Sequence, residues 1–171
     1  MSNSLQLLRI NVGFIAHQSI GYSRVFSFNP VELRISGDLT LHNFSGAVRF
    51  SRATQGLLLE ASLQAGIATE CVRCLEPFIL PLSTSFTELY AFSSHAGTDT
   101  ELVFPENGII DLTALVREYF LLEIPINPLC KQDCKGLCPV CGANLNHSPC
   151  GHHPETIDPR LAVLKSLINE A

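Results

Sequence analysis

The chain has 171 residues, 46 % of them hydrophobic, and a formal charge of −5. That length suffices to bury a core without disulfide staples. Eleven Lys and Arg against sixteen acids exclude a general polyanion binder, whose affinity comes from clustered cations displacing counterions. No run reaches the ~20 apolar residues of a membrane-spanning helix.

The charge is uneven. Residues 1–75 carry six arginines against four acids, residues 76–125 one arginine against eight acids, and residues 126–171 four cations against four acids. The N-terminal arginines read as solvated surface charge. Arg9 and Asn11 interrupt the hydrophobic residues of Met1 to Ile20, so no secretory signal is expected and cytoplasm is the expected compartment. There thiols stay reduced, which favours metal ligation over cystine.

In chain order, Leu5 to Ile15 and Tyr22 to Phe28 are apolar-rich segments that read as short strands broken by Gly21 and Pro30. Glu32 to Leu41 places Leu33, Ile35, Leu39 and Leu41 at alternate positions, the period of a half-buried strand. Gly46 to Arg52 and Gly56 to Ala65 continue the pattern, with Thr54-Gln55-Gly56 as a hairpin turn. Cys71-Val-Arg-Cys74 then caps a strand connection before an extended stretch from Phe78 to Phe92, bounded by Pro77 and Pro81. Ser93 to Glu101 has loop composition, and its His95 reads as solvated.

Asp111 caps a helix whose apolar stripe is Leu112, Leu115, Val116, Tyr119, Phe120 and Leu122, ended by Pro125. At that spacing Tyr119 and Phe120 read as core rather than as a base-stacking platform. Asp158-Pro159 starts a second helix with Leu161, Leu164, Leu167 and Ile168 on one face. The expected architecture is α+β: a single domain with a strand-rich antiparallel sheet or small barrel over 1–110 and a helix over 111–125. A cysteine-rich knuckle segment over 126–157 and a C-terminal helix over 158–171 complete it.

The chemistry lies in the cysteines. Cys138-Pro-Val-Cys141-Gly142 is a metal-binding knuckle: two thiols separated by two residues can both reach ~2.3 Å from one zinc ion, and glycine relieves the crowding behind the second. Cys71, Cys74, Cys130, Cys134 and Cys150 bring the cysteines to seven, an odd number that a complete disulfide framework leaves unpaired. With His152 there are eight ligands, enough for two four-ligand sites.

The elements Cys71-Val-Arg-Cys74-Leu-Glu, Asp111-Leu112 through Glu118 to Pro125, Cys134-Lys-Gly-Leu-Cys138-Pro-Val-Cys141-Gly-Ala-Asn-Leu-Asn146, and Asp158-Pro-Arg160-Leu161 occur in that order. Together they resemble the YceD-like family of large ribosomal RNA subunit accumulation proteins. The resemblance implies a non-catalytic role in the synthesis, processing or stability of 23S ribosomal RNA. The implied partner is that RNA or a ribosomal or assembly protein, with no membrane and no small-molecule substrate.

Family members lacking the Cys-Pro-x-Cys-Gly block tend to keep the Cys-x-Arg-Cys pair. This implies one structural zinc site of Cys71, Cys74, Cys130 and Cys134, and a second of Cys138, Cys141, Cys150 and His152. Relatives often end in Cys-x-Cys where this chain has Cys150-Gly-His152, so His147, His152 and His153 compete for the last place. Three alternatives stay open: one zinc ribbon of Cys71, Cys74, Cys138 and Cys141, reduced thiols without metal, and a dithiol redox enzyme at Cys71 and Cys74 with Arg73 lowering the thiol pKa. The redox motif ordinarily opens a helix after a parallel strand, and here it follows a strand-rich segment. Two further functional readings are a zinc-ribbon adaptor for a strongly basic ribosomal protein, suited to the acidic middle, and direct phosphate contact by Arg73, Lys131, Lys135 and Arg160.

Overall fold

A computed structural model of the chain describes residues 5–35, 39–93 and 102–152. A 3₁₀ turn at Leu5–Leu8 leads into β1 (Arg9–Asn11) and the short α1 (Gly13–Ala16). The strands β2 (Ser23–Ile35), β3 (Leu39–Arg52), β4 (Gly56–Glu70) and β5 (Pro77–Ala91) follow, then β6 (Ile109–Asp111) and α2 (Thr113–Glu123). The four long strands form an antiparallel meander in the order β2-β3-β4-β5, and β1 pairs with β6 in a separate two-stranded sheet. The α+β expectation holds. The barrel does not: the described sheet is open, because four strands are too few to close and helices cap its apolar face instead.

Side-chain alternation explains that apolar face. In β4, Leu57, Leu59, Ala61, Leu63, Ala65 and Ile67 are all buried, as the two-residue period of a strand requires. In β3 the buried residues change parity, from Leu39 and Leu41 to Phe44, Val48 and Phe50. A register shift between His42 and Ser45 supplies the extra residue, and Asn43 takes a positive φ of 53° there. The bulge thereby keeps both halves of β3 facing the core. Gly46 is required beside it: at φ +136°, an added Cβ would lie 2.2 Å from the Ser62 carbonyl oxygen.

Several boundaries differ from the sequence reading. Leu5 to Ile15 is not one strand but a turn, a three-residue strand and a four-residue helix, since a short apolar run does not by itself choose between helix and strand. Pro30 does not break β2, and Pro81 lies inside β5. Both strands are edges of the sheet, where the missing N–H of proline is tolerated. Glu32 to Leu41 divides between two strands that pair Ile35 with Leu39. The hairpin at Thr54-Gln55-Gly56 is present, closed by Ala53 N–H donating to the Gly56 carbonyl at 2.9 Å.

Asp111 is not the cap of the helix: Leu112 holds that position without a side-chain bond, and the helix starts at Thr113, whose N–H donates to Asp111 Oδ1 at 2.9 Å. It ends before Ile124, which is extended (ψ 117°) as a residue preceding proline must be. Leu112, Val116 and Phe120 are fully buried, each such side chain contributing about 1.5–3 kcal/mol of burial free energy. Phe120 packs edge-on to Phe44 with centroids 6.2 Å apart. Tyr119 stacks on Phe86 at 4.0 Å and donates its hydroxyl to Glu88 Oε1 at 2.5 Å. Phe120 lies inside the core, and Tyr119 packs half-buried at its edge. Leu122 departs from the expected stripe, being 79 % exposed, because a step of two residues from Phe120 turns it about 200° away. The second helix expected over 158–171 lies outside the described residues.

Candidate metal centres

The first cysteine pair sits where β4 turns into β5. Glu70 pairs with Pro77, and the six intervening residues close on themselves: Cys71 N–H donates to the Glu76 carbonyl at 3.0 Å and Leu75 N–H to the Cys71 carbonyl at 2.9 Å. Leu75 completes the turn in the left-handed region (φ 59°). The segment after α2 is drawn against this hairpin by Val72 N–H donating to the Pro128 carbonyl at 3.0 Å. That contact delivers Cys130 and Cys134.

Cys71 Sγ lies 3.7 Å from Cys134 Sγ, and Cys74 Sγ lies 3.7 Å from Cys130 Sγ. A disulfide needs about 2.05 Å, and all seven cysteines are free. Four sulfurs arranged tetrahedrally at ~2.3 Å from one ion stand about 3.8 Å apart, so the spacing fits a four-thiolate metal site. The ligand atoms of Cys71, Cys74, Cys130 and Cys134 all lie within 4.8 Å of one another.

The remaining ligands gather separately. Sγ of Cys138, Cys141 and Cys150 and a ring nitrogen of His152 again lie within 4.8 Å of one another. The knuckle is built by the backbone: Cys138 N–H donates to the Ala143 carbonyl at 2.8 Å, and Gly142 N–H to the Cys138 carbonyl at 2.9 Å. Gly142 occupies φ +72°. Val140 N–H points at Cys138 Sγ, 3.4 Å away.

Local hydrogen bonding prepares some of these thiols to ionise and burial opposes it in others. Burial pushes the Cys71 thiol up, but backbone hydrogen bonds from Cys130, Cys74 and Arg73 outweigh it and hold it at about 6. Backbone hydrogen bonds from Cys141 and Val140 bring Cys138 down to about 6. The side-chain amide of Asn146 lowers Cys134. Burial, reinforced by the neighbouring thiols, pushes Cys130 up to about 12. A bound divalent cation overrides such differences by deprotonating coordinating thiols outright. Each cluster can therefore hold a metal ion.

A family profile described as large ribosomal RNA subunit accumulation protein YceD matches residues 59–168. The chain belongs to the YceD family. An uncharacterized protein of Mycobacterium tuberculosis (strain ATCC 25618 / H37Rv) is 35 % identical over 125 residues, 71 % of this chain and 60 % of that protein. The Bacillus subtilis protein YlbN is 31 % identical over 102 residues, 58 % of this chain and 59 % of its own length. A chloroplastic large ribosomal RNA subunit accumulation protein YCED homolog 1 of Zea mays is 41 % identical over 61 residues, 34 % of this chain and 21 % of the maize protein. The match spans about 60 % of the length of the mycobacterial relative. No solved structure matches.

Within this YceD-family chain, Cys138 and Cys141 gather with Cys150 and His152 rather than with Cys71 and Cys74, as a single zinc ribbon would require. His147 is engaged elsewhere: its Nε2 lies 2.7 Å from Glu76 Oε1. His153 and Arg160 lie outside the described residues. Arg73 donates from Nη1 to the Cys134 carbonyl at 3.0 Å, a contact that ties the two cysteine segments together. Lys131 and Lys135 are exposed.

Two side chains that matter escaped the sequence reading. Asn146 Nδ2 donates to Cys134 Sγ at 3.3 Å, and Glu76 anchors His147 while its other oxygen lies 3.9 Å from Cys74 Sγ. Hydrogen-bonded outer partners of this kind orient ligands and tune affinity. The signal for Asn146 was present in the Asn-Leu-Asn run directly after the knuckle.

Proposed function

We propose that the chain is a non-catalytic factor that promotes the synthesis, processing or stability of 23S ribosomal RNA in large-subunit assembly, with one structural zinc ion in each cysteine cluster. The observation that carries the reading is the juxtaposition of two four-ligand clusters in a chain of the family named for large ribosomal RNA subunit accumulation. Zinc is favoured because it takes tetrahedral thiolate and imidazole ligands, and a three-thiolate, one-imidazole set is a common structural zinc site. The ions would lock the segment after α2 to the β4–β5 hairpin and present it as a rigid surface. The expected setting is the cytoplasm, where the thiols stay reduced. Among the described residues no helix is long and apolar enough to cross a membrane.

The clustering of Cys71 and Cys74 with later thiols supports a structural over a redox role, since each sulfur has a partner 3.7 Å away from a distant segment. A pair rapidly labelled by an alkylating probe in the metal-loaded protein would favour redox chemistry. For the ribosomal RNA role, sedimentation of lysates from cells lacking the protein is the deciding measurement. The reading requires a deficit of large subunits and 23S RNA, and normal levels of both would remove it.

A second reading, an adaptor for a basic ribosomal protein, is favoured by one feature. Glu88, Asp111 and Glu118 line a groove of about 510 Å³ between β5 and α2, together with Leu115, Tyr119 and Leu122. Carboxylates over an apolar floor suit a cationic segment with aliphatic stems. Crosslinking followed by sequencing of bound RNA separates the readings: direct crosslinks to 23S RNA through Lys131 or Lys135 support contact with RNA, and crosslinks to protein alone support the adaptor.

A further inference from the structure

One side chain from the segment of the second cluster reaches a thiol of the first. Asn146 lies between Cys141 and Cys150, within the stretch that supplies the second centre, yet its Nδ2 donates to Cys134 Sγ of the first at 3.3 Å. Its position is held from other sides. Oδ1 accepts Lys135 N–H at 2.9 Å, while its backbone N–H and Nδ2 both donate to Asn144 Oδ1 at 2.9 Å.

The backbone around it forms a short ribbon. Leu137 bridges antiparallel to Asn144, and Leu145 N–H donates to the Gly136 carbonyl at 2.9 Å. Cys134, a ligand of the first centre, stands at the base of this ribbon, and Cys138 and Cys141, ligands of the second, stand at its tip. The base is fastened to the first hairpin by Leu137 N–H donating to the Arg73 carbonyl at 3.1 Å. Base and tip are thus parts of one hydrogen-bonded unit.

We propose that Asn146 couples the two centres, so that loading of the first raises the metal affinity of the second and the reverse. The inference rests on the reading that both clusters bind zinc. A metal-bound cysteine is a thiolate, and an ionised acceptor draws a stronger hydrogen bond than a neutral one. Loading the first centre thus tightens the bond from Asn146 to Cys134 and fixes the ribbon that spaces Cys138 and Cys141. Because binding free energies are linked, loading the second centre must favour the first by the same factor. Asn146 acts here as a positioning residue.

The test is a titration of the full chain with Zn²⁺ against a chromophoric chelator, repeated with Co²⁺, whose ligand-field absorption separates the four-thiolate set from the set containing imidazole. The expected wild-type result is two equivalents per chain with coupled affinities. Cys74→Ser, which removes a ligand of the first centre, should lower the affinity of the second by roughly tenfold or more. Asn146→Asp keeps the acceptor for Lys135 N–H but loses the donor. It should weaken both centres by about 10–100-fold, with unchanged far-ultraviolet circular dichroism, and it decides the matter if Cys74→Ser fails to fold. Wild-type affinities in Asn146→Asp, or two ions bound independently, would overturn the coupling alone. A wild-type chain that binds neither metal would overturn the zinc reading and the coupling with it.

Discussion

Cys71 Sγ and Cys134 Sγ stand 3.7 Å apart although 63 residues separate them in the chain. The first belongs to the turn between β4 and β5 and the second to the base of the ribbon beyond α2. A shared ion at this point would fasten the cysteine-rich segment to the sheet.

Metal stoichiometry follows from the two clusters. Elemental analysis of the purified chain should give two zinc ions, and Cys150→Ser should give one. A single zinc retained undiminished after Cys150→Ser would sink the division into two centres. Chelation should abolish amide-exchange protection over residues 130–152 and spare β3 and β4, whose core of Leu41, Phe44, Val48, Phe50, Leu57, Leu59 and Leu63 contains no ligand.

Phe120→Ala should destabilise the fold by about 3–5 kcal/mol, the usual cost of deleting a buried aromatic ring. Phe120 is fully buried against Phe44, so the cavity has apolar walls that cannot easily collapse. Urea denaturation of the metal-loaded protein measures it. A loss under about 1 kcal/mol, close to the scale of a surface change, would mean that α2 is not the lid of this core.

Gly136→Ala should weaken the first centre while leaving the sheet intact. The residue occupies φ +75°, and a Cβ would lie 3.1 Å from the Arg73 carbonyl oxygen. Left-handed backbone costs an L-residue about 1–2 kcal/mol, which corresponds to roughly tenfold in affinity. Competition with a chelator reads the change. Unaltered affinity would show that the ribbon does not hold Cys134.

Alkaline pH should loosen the contact between β5 and α2. The hydrogen bond to Glu88 raises the Tyr119 phenol above its usual 10.0. Burial, aided by the Glu88 and Asp111 carboxylates, pushes Tyr90 up to about 12. Groups whose folded pKa is raised contribute stability that is fully present below the unfolded value and lost as pH rises through the folded one. Stability should therefore decline from pH 10.0 upward. Glu88→Gln should lower both phenol titrations, followed by tyrosinate absorbance. Unchanged titration in that variant would exclude the carboxylate as a cause.

Much of the fold was legible because its signals are local. Thr54-Gln55-Gly56 closes a tight turn through its own backbone, and Asp111 and Pro125 bracket a helix, the first by a local bond to Thr113 N–H and the second by steric exclusion. The misreadings have a common origin in neighbours that the sequence does not name. Pro30 and Pro81 look like breaks until β2 and β5 prove to be sheet edges. Leu33, Ile35, Leu39 and Leu41 alternate as if in one strand because residues paired across two antiparallel strands share a face, so the pattern reads on from β2 into β3. Leu122 entered the helical stripe on hydrophobicity alone, and its direction is set by the angle it makes with Phe120.

At the metal centres the same division applies. The chain alone determined that thiols two residues apart can share an ion, that their odd number suits metal better than cystine, and that the ordered motifs belong with the YceD proteins. Spacing within a knuckle is a short-range property, fixed by bond lengths and turn geometry. Which knuckle meets which, that His147 turns to Glu76 instead of joining a cluster, and that Asn146 reaches Cys134 were decided only by the tertiary structure. Those contacts depend on where the β4–β5 hairpin ends relative to the exit of α2, a relation set by the packing of the whole sheet rather than by any local run of residues.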